Sequence, residues 1–113
     1  MRNMSFAQTI PQMRDRSKTV TRRKGWGFLL PGDVVMAVEK AMGLKQGEKV
    51  KRIHPIRILD VRQEPLSRVT QDDVPKEGFT FFSREIFLRF MRVKYGVLPT
   101  DIITRIEFEH LED

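Results

Sequence analysis

The chain contains no cysteine. Neither a disulfide framework nor a thiolate metal site can therefore form. Its two histidines, His54 and His110, stand far apart with no ligand spacing around either, so no metal site is expected. Long hydrophobic runs are missing too. Val34 to Val38 is the longest uncharged apolar stretch, far too short to span a membrane. The N-terminus lacks a hydrophobic signal segment, and a cytoplasmic protein with no membrane partner is expected. No glycine pattern matches a phosphate-binding loop or a dinucleotide fingerprint, and no nucleophile-elbow glycines support a Ser-His-Asp triad. Internal repeats, low-complexity tracts and linkers are likewise absent. No cofactor is implied.

What is present suits one small soluble domain over residues 1–113, with 40% hydrophobic and 32% charged residues. The net charge of +6 is uneven. Residues 1–57 hold 13 Lys and Arg against four acids, or +9, and residues 58–113 hold eight against eleven, or −3. A basic half attracts phosphates or another polyanion, although surface cations also simply keep a small protein soluble.

Local patterns predict an α+β domain. Met4 to Phe6 reads as a short strand or lead-in, and Thr9 to Asp15 as a short helix with Pro11 in its first turn. Ser17 to Arg23 favours a strand. Lys24 to Asp33 is a loop punctuated by glycine and proline. Asp33 to Met42 fits either a helical stripe or a strand buried on both faces. The glycine-bounded Gly43 to Lys49 resembles the turn of a long hairpin and tips the choice to strand. Val50 to Val61 follows as a second strand, with Pro55 calling for a bulge or an edge position. Thr70 can cap a short helix that Pro75 ends or kinks. Ser83 to Tyr95 is the clearest helix, with Ile86, Phe87, Phe90, Met91 and Tyr95 on one stripe and Gly96 as its stop. Ile102 to Leu111 is a last strand whose Arg105, Glu107 and Glu109 face water. Phe79, Phe81 and Phe82 read as core.

Chemistry concentrates in "SKTVTRR", Ser17 to Arg23. Lys18 and Thr21 are a possible base and nucleophile. A threonine hydroxyl reacts only if a neighbour takes its proton, and a lysine does so only when neutral. Its pKa would have to fall by roughly three units from about 10.4, through burial and neighbouring cations such as Arg22 and Arg23. In a regular strand, residues 18 and 21 point to opposite faces. Lys18 therefore needs a turn before Thr21 to meet it. The same residues also suit a phosphate-binding edge with threonines as strand formers. Trp26, between two glycines, could stack on a nucleobase or cap the core. Glu77 is one exposed acid among many on pattern alone.

At "SKTVTRR … LPGD … EGF" the chain resembles the ASCH domain family of the PUA-like superfamily, over nearly its whole length. The resemblance implies a small, mostly antiparallel β-barrel flanked by two or three helices, with Asp33 to Met42 as strand. The family motif runs glycine, one residue, lysine, two residues, glutamate, one residue, arginine. Lys18 and Arg23 match it, whereas Arg16 replaces the glycine and Thr21 the glutamate. A threonine there is similar to the small bacterial amidohydrolases that deacetylate N(4)-acetylcytidine. By that resemblance Lys18 would accept a proton, Thr21 would be nucleophile and Glu77 proton donor, with Arg23 binding substrate or stabilising developing charge; Arg22 and Trp26 are further substrate-binding candidates from their place beside it. The partner would then be an acylated nucleoside. The alternative is an RNA-binding module, or an RNA-processing ribonuclease, that uses the basic half.

Overall fold

β-Branched and aliphatic runs become strands in the computed structural model, which describes residues 1–113. In chain order the elements are β1 (Asn3–Ser5), α1 (Ile10–Arg14), β2 (Val20–Arg23), β3 (Val34–Val38), β4 (Arg52–Pro65), a 3-10 turn (Leu66–Arg68), α2 (Asp73–Lys76), α3 (Arg84–Tyr95) and β5 (Ile102–His110). The strands form one sheet in the order β1-β3-β4-β5-β2. The β1–β3 pairing is parallel and the other three are antiparallel. The expected α+β class and the strand at Val34–Val38 hold, as does the hairpin to β4.

The sheet is not closed into a barrel. Its edge strands, β1 and β2, share no backbone ladder. A side chain crosses between them instead: Arg23 Nη2 donates to the Ser5 carbonyl at 3.0 Å, and the guanidinium lies over the Phe6 ring, 4.9 Å from its centre. The outer edge of β2 is covered by the end of α2. Thr19 N–H donates to the Lys76 carbonyl and Arg22 N–H to Glu77 Oε1, so this edge is not left open for another strand.

Two apolar clusters result. One gathers Met4, Phe6, Met13, Ile56, Ile106 and Phe108 against the sheet, and the other packs Leu66, Val74, Phe87, Met91 and Ile103 under α3. Ser83 caps α3 by accepting from Ile86 N–H, and Gly96 ends it in the left-handed conformation, as the sequence predicts.

Several local expectations change. Pro55 sits inside β4, between β3 and β5, rather than at an edge, and the register shifts fall at Ala37/Val38 and Ile58/Asp60. The strand tolerates it because Leu111, which donates its N–H to the Pro55 carbonyl, has its own carbonyl satisfied by Arg16 Nη2 at 3.3 Å. Pro75 lies within the single turn of α2, where its missing N–H costs nothing. Phe81 is 97% exposed instead of core, and Ile86 and Tyr95 are half exposed; of the stripe, Phe87 and Met91 are buried and Phe90 packs partly buried beside them.

Arg16 adopts φ +68°, a left-handed turn that glycine takes most readily. That conformation costs a side-chain-bearing residue about 1–2 kcal/mol. Glycine loses part of the gain to greater freedom in the unfolded chain. Arg16→Gly is expected to raise stability by about 0.5 kcal/mol in urea titration. A lower midpoint would show that the Leu111 bond outweighs the strain.

Candidate functional site

The seam between the two clusters opens into a cavity of about 430 Å³. Phe6 contributes to one wall and Phe79, Phe87, Phe90 and Met91 to the other. Lys18, Thr21, Arg22, Arg23, Trp26 and Glu77 all line it, so every residue singled out in the sequence reaches one space. The volume is that of an ordinary small-molecule site.

Lys18 arrives there because β2 starts only at Val20. Residues 17–19 precede the ladder, so strand alternation does not bind Lys18 to the face opposite Thr21. The left-handed turn at Arg16 precedes this segment, and a second tether fixes it. His110 Nε2 meets the Lys18 carbonyl at 2.6 Å, and His54 Nε2 lies 2.7 Å from His110 Nδ1. A carbonyl only accepts, so His110 carries its proton on Nε2, and His54 donates to the free Nδ1. Read as unrelated in the sequence, the two histidines form one anchored pair.

The Lys18 ammonium is 3% exposed and lies between two rings, 5.9 Å from the Phe6 centre and 5.8 Å from that of Phe79. It donates to the Glu77 carbonyl, and Glu77 Oε1 stands 3.8 Å away. Burial pulls its pKa down to about 8; Glu77 opposes the fall, and Arg23 and Arg22 add to it. About a tenth of such a lysine is neutral at pH 7.

Thr21 Oγ1 accepts from Arg23 Nε at 3.3 Å and from Nη2 at 3.2 Å. Both contacts use Oγ1 as an acceptor, so the hydroxyl keeps its own proton to donate. Burial lowers Arg23 to about 10, so it remains a cation at neutral pH.

Glu77 is 2% exposed, not the surface acid its sequence context suggests. It ends α2, and the next residue, Gly78, adopts φ +99°. A Cβ on Gly78 would come within 3.1 Å of Thr9 Cγ2 and 3.3 Å of Gln12 Cβ. Only glycine gives this turn both its sign of φ and its close approach to α1. Trp26 is also left-handed, at φ +64°, and half-buried, with its ring tilted against Phe28 at 5.5 Å. A bulky residue there is strained. It both packs on the first cluster and lines the cavity.

No family model matches the sequence, and no curated protein matches it. The solved structures that match the fold include these two. One is a DUF984 protein, EF3133 from Enterococcus faecalis, at TM-score 0.60 and 18% identity over 92% of this chain and 70% of that one. The other is an ASCH domain from Lactobacillus crispatus, at TM-score 0.57 and 16% identity over 96% of this chain and 79% of that one. The chain has the ASCH-domain fold. At these identities the likeness is of fold.

Within this ASCH fold, sequence reasoning missed a buried set of charges behind the cavity. Arg22 is turned into it, with a side chain 1% exposed. Its Nη1 donates to Glu77 Oε2 at 2.8 Å, and its Nη2 to Asp73 Oδ2 at 2.7 Å and Glu64 Oε2 at 3.3 Å. Arg105, placed on a wet face by alternation, is 6% exposed because it binds Asp73 at 2.8 and 3.1 Å. Burial works against the Asp73 charge, but bonds from Arg105 and Arg22 prevail and hold its carboxyl at about 2. No sequence signal marks this set, since Asp73 and Arg105 are 32 residues apart. No helix is long and apolar enough to cross a membrane.

Proposed function

We propose that the chain is an amidohydrolase that removes the acyl group from N(4)-acetylcytidine or a related acylated nucleoside. The observation carrying this reading is the convergence of a buried, low-pKa Lys18 with Thr21, Arg23 and Glu77 on one cavity with aromatic walls. Neutral Lys18 takes the Thr21 proton as Oγ attacks the acyl carbon. Arg23, already bonded to Thr21 Oγ1, faces the oxyanion that develops. The proton on Lys18 then stands near Glu77, which delivers it to the departing cytosine amine as the C–N bond breaks. Water, deprotonated by Lys18, next attacks the Thr21 ester; the acyl C–O bond breaks, Thr21 Oγ takes the proton back from Lys18, and acetate leaves. The aromatic walls suit a planar base, and Arg22 holds Glu77 rather than substrate.

The test is incubation of purified protein with N(4)-acetylcytidine. Cytidine and acetate are expected, and Thr21→Ala is expected to abolish both. Equal release by the two proteins would dismiss Thr21 as nucleophile, and no release by wild type would dismiss the activity. Four exposed lysines in the β3–β4 connection, Lys40, Lys45, Lys49 and Lys51, favour RNA binding as the second reading. Steeply salt-dependent binding of RNA by a protein that releases no cytidine would establish it.

A further inference from the structure

Behind the cavity wall lie buried charges that take no part in the steps above. Asp73 and Arg105 do not line the cavity and cannot touch a substrate in it. Yet they connect to the reacting groups through one residue. Arg22 grips both oxygens of Glu77, with its backbone N–H on Oε1 at 3.2 Å and Nη1 on Oε2 at 2.8 Å. The other arm of its fork, Nη2, is held by Asp73 at 2.7 Å, with Glu64 a longer second acceptor at 3.3 Å. Asp73 in turn is clasped from two sides, by Arg105 Nε on Oδ2 and Nη2 on Oδ1.

We propose that Asp73, locked by Arg105, is a positioning residue that fixes the Arg22 fork and so aims Glu77 at Lys18. A guanidinium is planar and rigid, so pinning Nη2 decides where Nη1 points. The remaining donor of the group, Nε, is buried without a partner. The fork is therefore oriented by its carboxylates and not by satisfying every donor. Stability alone gives little reason for such an arrangement. A buried ion pair seldom beats apolar side chains of the same volume, whereas it does fix a geometry. Glu77, 3.8 Å from the Lys18 ammonium, is the carboxylate that opposes the fall in the Lys18 pKa. A Glu77 that swings away leaves the lysine in a more positive field.

The kinetic part of the test rests on the amidohydrolase reading, and a ligand-free measurement separates the two. In Asp73→Asn, kcat for N(4)-acetylcytidine is expected to fall about 30-fold with KM within about threefold, in line with the hundredfold that small misplacements cost. Arg105→Lys should act in the same direction more weakly, and it stands in if Asp73→Asn does not fold. Asp73→Glu, which keeps the charge, should recover part of the loss. In both Asp73→Asn and Arg105→Lys, NMR titration of the free protein should move the Lys18 midpoint below its starting value of about 8, by about half a unit in Asp73→Asn. A folded variant with an unmoved Lys18 midpoint would overturn the proposal, whatever its kcat, because a merely structural role predicts that result. A rise in KM with unchanged kcat would overturn it as well. If wild type releases no cytidine, the amidohydrolase reading falls while the Lys18 midpoint still decides the role of Asp73.

Discussion

Replacing Lys18 by methionine is expected to lower kcat/KM for N(4)-acetylcytidine about 10³-fold, within the range that a lost general base costs. The protein should still fold. Methionine fills the slot between Phe6 and Phe79, and Glu77 keeps its two bonds from Arg22. In wild type the acidic limb of kcat/KM should rise tenfold per pH unit and level off near the Lys18 pKa of about 8. Methionine should erase that limb from any residual activity.

The stability effect has the opposite sign. The folded pKa of Lys18 lies below that of the unfolded chain, from 10.5 down to about 8. Holding the charge in the fold is therefore a penalty, of about 3 kcal/mol before the bond to the Glu77 carbonyl is set against it. The penalty is complete below pH 8. It is relieved between pH 8 and 10.5, where the unfolded chain binds the proton that the fold has shed. Lys18→Met is thus expected to be at least as stable as wild type at pH 7, with the gap closing toward pH 10. Denaturant titrations at both values measure it. A variant clearly less stable at pH 7 would mean that Lys18 holds the fold together rather than straining it for chemistry.

Gly78→Ala is expected to have the second large effect, on stability and activity together. The methyl group would enter at 3.1 Å from Thr9 and 3.3–3.4 Å from Gln12, at a φ of +99° that alanine disfavours. Backbone strain of about 1–2 kcal/mol and crowding of a similar size add to about 3 kcal/mol. For a domain of this length that lowers Tm by roughly 10 °C. The peptide that must shift carries the Glu77 carbonyl, which accepts from Lys18, so turnover should fall about 10²-fold even in the folded fraction. Thermal melts and assays below the melting range read the two separately. Full activity with a normal Tm would show that α1 yields and that the turn is not what places Glu77.

Much of this molecule is legible along the chain. Ser83 and Gly96 bound α3 through local backbone chemistry, and the glycine-bounded turn at 43–49 joins two strands as its composition implies. Lys18, Thr21 and Arg23 are close in sequence, so their grouping at one cavity can be read before folding.

Tertiary structure alone decided the rest, wherever the partners are distant. Arg105 alternates with exposed acids and reads as a wet residue, yet Asp73 draws it inside. His54 and His110 carry no shared spacing, but the β4–β5 ladder sets them side by side against the Lys18 carbonyl. Glu77 looks like one surface acid among many until the Gly78 turn folds it against β2. Periodicity reports which face of an element is apolar. It does not report which opposite charge waits across the sheet, and for a buried ion that partner determines whether it can be inside at all.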